Sequence, residues 1–146
     1  MNREIKFRGY SDELKSFVYG FYQKVDFEGV GYSYIFWQGN TTPVRADSVG
    51  QFTGFKDFDG KEIYEGDILE YVSYMRDENK RKEIVEFDEK CGGWYVHKQA
   101  DTLADVLFKQ HNENWQSKQN YTPSLKHKVR IIGNIYENPE LTQTTS

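Results

Sequence analysis

Two acidic glycine turns, Asp57-Phe58-Asp59-Gly60 and Glu65-Gly66-Asp67, fall within one stretch, QFTGFKDFDGKEIYEGDILEY, from Gln51 to Tyr71. Carboxylates at this density could hold a divalent cation or work as a general acid and base. A calcium loop of the EF-hand type places its glycine at position six and a glutamate at position twelve, between two helices. Counted from Asp57, the glycine comes at position four and position twelve is Ile68, with no helix pair on either side. Asp59-Gly60 fits a hairpin turn instead, because glycine accepts a positive φ there. Glu65 and Asp67 straddle Gly66, where a turn would leave both carboxylates in water at ordinary pKa values. Asp67 can also bond its own backbone as an Asx-turn and start the next strand.

Other chemistry is no better supported. Cys91, His97, His111 and His127 show none of the close pairings that zinc sites use. Gly54, Gly60 and Gly66 lie between strand-like runs and open no helix, so no helix N-terminus offers a phosphate site. No Gly-x-Ser-x-Gly elbow or Cys–His pair occurs. The expectation is therefore no catalytic residue, no metal and no cofactor. A hydrolase built on the carboxylates around Gly66 remains as an alternative. So does a nucleic-acid-binding small β-barrel, with Tyr71, Trp94, Tyr95, Trp115 and Arg130 as its candidate binding surface. Its basic clusters are Lys80-Arg81-Lys82 and Lys126-His127-Lys128-Arg130, and Asp77, Glu78, Glu83, Glu86, Asp88 and Glu89 dilute the first. The net charge of −4 weighs against a backbone-binding protein.

The elements that must position these residues are mostly strands. Aromatic residues make up 16% of the 146 residues, and they favour pleated, half-buried surfaces. REIKFR (3–8) alternates, with Ile5 and Phe7 opposite Glu4, Lys6 and Arg8. Phe17, Tyr19 and Phe21 share one face of the next run. Val30, Tyr32, Tyr34 and Phe36 share one face of the run after it, and VDFEG joins the two as a hairpin. This aromatic ladder is expected to be a core face rather than an exposed interface. GNTTPVRADS (39–48) is expected to be a long loop. Strands follow at ILEYVSY, EIVEF, GWYVHK and KVRIIGNIY, with Val129, Ile131 and Ile135 on one face of the last. Residues 101–110 form the single helix, where Thr102 and Asp105 resemble a capping box. Residues 111–125 are a polar, mobile loop, and 137–146 are a tail. No apolar run approaches a membrane span, the N-terminus lacks a signal core, and the single cysteine suits a reducing compartment. The expected home is the cytoplasm of its cell or host.

Three blocks, REIKFRGY, TGFKDFDGKEIYEGDIL and IIGNIYENPEL, resemble the YopX family in order and wording. The fingerprint positions are Gly54, Asp57, Gly60, Ile63, Tyr64, Gly66, Asp67, Gly133, Asn134, Tyr136 and Pro139, all of them given structural roles. The resemblance implies a phage or prophage protein of unassigned activity, a β-rich α+β fold with a barrel-like part, and self-association. It carries over no catalytic residue. The expectation is one domain over 1–146. An N-terminal β-layer (1–50) packs with a small SH3-like or partly open β-barrel (62–136), and one short helix completes the α+β, predominantly antiparallel fold. The function expected is non-enzymatic, acting through homo-oligomer formation or binding to a phage or host protein.

Overall fold

The computed structural model describes residues 2–72, 80–96, 101–107 and 129–142. Two compact units emerge, and the chain passes between them more than once. The first comprises Met1–Phe55 and Glu62–Glu65, the second Lys56–Lys61 and Gly66–Ser146.

Six strands build the first unit: β1 (Phe7–Ser11), β2 (Ser16–Phe27), β3 (Val30–Trp37), β4 (Asn40–Val44), β5 (Gly50–Lys56) and β6 (Glu62–Tyr64). They form one sheet in the order β4-β3-β2-β1-β5-β6. The pairs β1–β2, β2–β3, β3–β4 and β1–β5 are antiparallel. Glu28-Gly29 and Gln38-Gly39 link β2 to β3 and β3 to β4, each with positive φ at both positions. That is the conformation whose twist matches a two-residue hairpin. One face of the sheet buries Ser11, Val18, Ser33, Ile35, Thr42 and Ile63.

Three expectations change here. The 39–48 segment is not a loop throughout, because β4 occupies Asn40–Val44. Pro43 is tolerated there because β4 is an edge strand, with ladder partners on one side only. The first strand begins at Phe7, later than the alternation suggests, and Arg8 is buried while Ile5 is 38% exposed. The aromatic ladder is not core. Alternation groups its residues correctly, but the face that is buried carries Ser33 and Ile35 instead.

The second unit holds β7 (Asp67–Val72), β8 (Lys80–Ile84), β9 (Glu86–Asp88), β10 (Gly93–Val96), β11 (Asp101–Thr102), α1 (Leu103–Leu107) and β12 (Arg130–Asn134). Its strands form two three-stranded sheets, β12-β7-β8 and β11-β10-β9. The fold is α+β and mainly antiparallel, as expected. The barrel is not: among the described residues these sheets stay open. Between them Val85 bonds back to the Gly66-Asp67 turn, its N–H donating to Asp67 O and its carbonyl accepting from Gly66 N–H. That turns the chain out of one sheet and into the next. Ile68, Leu69, Tyr71, Val85, Val96, Leu103, Leu107 and Val129 are buried.

The helix starts two residues later than expected, and its predicted end at 108–110 lies outside the described residues. Its capping box is present. Asp105 N–H donates to Thr102 Oγ1 at 3.1 Å, and that hydroxyl donates to Asp105 Oδ2 at 2.7 Å. Ile135 leaves the face of Val129 because β12 bulges between Ile131 and Gly133 and ends at Asn134. The first part of the expected tail is ordered as a 3-10 turn, Pro139–Thr142.

Candidate functional site

The acidic turns at 57–60 and 65–67 are built as scaffold. Asp57 is 1% exposed. Its Oδ1 accepts from Asp59 N–H and Lys61 N–H, both at 2.9 Å, and its Oδ2 accepts from Ile131 N–H at 3.1 Å. Three backbone donors on one carboxylate leave little for a cation. Asp59 pairs with Arg130 at 3.0 Å, and the guanidinium also lies over the Phe58 ring. Gly60 and Gly66 adopt positive φ. Asp67 is buried at the head of β7. Asn134 closes the other end of the fingerprint, its Oδ1 accepting from Tyr136 and Glu137 N–H groups. Gly133 has no room for a Cβ, which would meet Asn138 Oδ1 at 2.6 Å. Gly54 also takes a positive φ, while Ile63 and Tyr64 are buried and Pro139 opens the 3-10 turn. Among the described residues no cluster of His, Cys, Asp or Glu could hold a metal.

Among the described residues the expected stacking surface does not come together. Tyr71 is buried in β7. Trp94 and Tyr95 are half-buried neighbours on β10, so they point to opposite faces, and Trp94 packs edge-on against Phe87. Arg130 is engaged by Asp59. Trp115, His97, His111, His127 and the 126–128 cluster lie outside the described residues.

A polar knot that the sequence does not advertise lies on the first unit's other face. Lys6 Nζ donates to Glu62 Oε1 at 2.6 Å, and Tyr64 OH donates to Glu62 Oε2 at 2.9 Å. Arg8 lies between the rings of Phe17 and Tyr64, 4.8 and 5.1 Å from their centroids. Burial, then the hydrogen bond to Glu62, pushes the Tyr64 phenol well above its ordinary value. Burial lowers the Lys6 ammonium, but hydrogen bonds to Glu62 and Glu4 outweigh it and hold the group above its usual value.

Beyond the knot the same face becomes aromatic and uncharged. The β2–β1 ladder stops at Gly20, and the β3–β4 ladder begins only at Ser33. The outer part of the β2–β3 hairpin is therefore a two-stranded arm. Tyr19, Phe21, Val25 and Phe27 of β2 share one side of the sheet with Val30, Tyr32 and Phe36 of β3, and of these Val25, Phe27, Val30 and Tyr32 stand on the two-stranded tip. Phe21 is 69% exposed and Phe27 63%. Where the arm leaves the sheet, a groove of about 790 Å³ opens along Ile5, Leu14, Tyr19, Phe21, Phe36 and Trp37. An isolated two-stranded ribbon is marginal in water. A contiguous apolar face of this kind marks a contact surface.

A family model described as YopX protein matches residues 6–143. No curated protein matches. Among solved structures, protein EF1440 from Enterococcus faecalis is similar over 96% of this chain and 99% of its own. The two are 22% identical, with a TM-score of 0.48.

Proposed function

From the premise that the chain belongs to the YopX family, we propose a phage-type accessory protein, non-enzymatic, that works by assembling with a second copy of itself through the β2–β3 arm. The reading places it in the cytoplasm of a bacterial host. The observation that carries it is an exposed aromatic face that runs from the sheet onto a two-stranded tip too thin to stand alone. That face presents no charged side chain from Phe21 to Phe27 or from Val30 to Phe36. It therefore has nothing to grip a phosphate backbone, whose recognition is dominated by cations. Strand edges that no described strand pairs with, on both sides of the arm's tip, add main-chain donors and acceptors.

Size-exclusion chromatography with light scattering, run over a range of concentrations, tests this. The parent should run larger than a monomer. Phe21→Ser combined with Phe27→Ser should weaken assembly about tenfold or more, since each ring loses an apolar contact. Circular dichroism should show the variant still folded. A parent that stays monomeric at high concentration, or a variant that assembles as the parent does, refutes the reading.

A further inference from the structure

We infer that the free edge of β2 pairs antiparallel with β2 of a second copy, around a two-fold axis at Val25. This rests on the assembly reading and specifies its register.

The edge is long enough to template a partner. β2 runs to Phe27, yet β1 accompanies it only to Gly20. From Phe21 onward it is laddered, among the described residues, on the β3 side alone. Unpaired N–H and C=O groups along such an edge favour another strand. The other edge of the arm is shorter, Val30 to Tyr32, before β4 covers β3.

Charge placement then selects the partner and the register. Lys24 and Asp26 are exposed, two residues apart, on the side of the arm opposite the aromatic face. Both reach over Gly31, where an added Cβ would meet Lys24 Cε at 3.1 Å and Asp26 Oδ1 at 3.2 Å. With a two-fold axis at Val25, Lys24 of each copy lies directly opposite Asp26 of the other. Val25 then faces Val25, and Gln23 faces Phe27. Directly opposed residues on one face are the pairs that stabilise an antiparallel ladder, and like charges there destabilise it. Moving the axis to Lys24 sets lysine against lysine, and moving it to Asp26 sets aspartate against aspartate. The segment is thus complementary to itself in one register and frustrated in those on either side. A symmetric interface requires such self-complementarity. On the aromatic side, Phe27 of one copy comes diagonally beside Phe21 of the other, within reach of large rings. The joined arms form a four-stranded ribbon, β3-β2-β2-β3.

Charge exchange provides the test. Lys24→Asp and Asp26→Lys are each expected to raise the dimer Kd about tenfold or more, because each sets like charges opposite one another. The double variant, Lys24→Asp with Asp26→Lys, should restore the parent's Kd. The two single variants mixed in equal amounts should assemble with each other better than either does alone, as analytical ultracentrifugation would show. Both side chains are exposed, so circular dichroism should find every variant folded. If the parent assembles but the single variants assemble equally well, or the mixture gains nothing, this register is wrong while the assembly reading stands. If the parent is monomeric, both fall.

Discussion

Asp57 carries three backbone N–H groups on one carboxylate, two from its own turn and one from Ile131. The turn was legible, because Asp-x-Asp-Gly has strong local chemistry. The bond to Ile131 was not, since the two residues stand 74 positions apart and nothing local encodes it. Asp57→Asn should destabilise the protein by about 1–3 kcal/mol, because an amide nitrogen would face a buried N–H with nothing to accept it. Urea unfolding should show a lower midpoint and an unchanged slope. Tyr64 was visible only as a fingerprint position. Its hydrogen bond to Glu62 needs neighbours on one strand, but its stacking on Arg8 needs β1. A phenol whose pKa is raised on folding binds its proton more tightly in the folded state. Its contribution is complete below its ordinary value of 10.0 and is lost as the pH climbs beyond it. Lys6, raised from 10.5, acts in the same direction. Stability should therefore fall above about pH 10, and Tyr64→Phe should flatten that fall. Ultraviolet titration of the parent should show a late-ionising tyrosine that Tyr64→Phe removes.

At the level of elements, alternation identifies which residues share a face but not which face is covered. Phe17, Tyr19 and Phe21 were grouped correctly, as were Tyr32, Tyr34 and Phe36. Their exposure was invisible because it depends on which face of the sheet other parts of the chain cover, and alternation does not record that: Tyr19 and Phe36 are exposed although β1 and β4 pair with them. Polar Ser33 and Thr42 take the buried side, contrary to what side-chain polarity suggests. β4 was hidden by its proline, which only an edge position reconciles with a strand. Gly20 marks the base of the arm. A Cβ there would fall onto the carbonyl oxygen of Phe36 and reach Ile35 Cγ2 at 3.2 Å, so β2 and β3 approach closely only because it is absent. Gly20→Ala should cost about 1–3 kcal/mol through overpacking. Amide exchange should quicken in β2 and β3 while the strands of the second unit keep their protection.

Over the whole molecule, the antiparallel α+β class and the capped helix at Leu103–Leu107 could be read from periodicity and turn chemistry. Barrel closure could not, because strand count does not say whether β8 and β12 find partners beyond β7. Nor could the way the chain weaves between its two compact units, crossing at Phe55, Lys61 and Glu65 rather than at a linker. That weaving has a consequence for a chain still leaving the ribosome. All six strands of the first sheet are present once residue 64 has emerged, so it can close early. β7 must wait for β12, roughly 60 residues behind it, and at 5–20 residues per second that leaves one side of β7 bare for about 3–12 s. For that interval the nascent chain holds one finished unit and one open template, and a chaperone or a neighbouring polysome has its chance to bind.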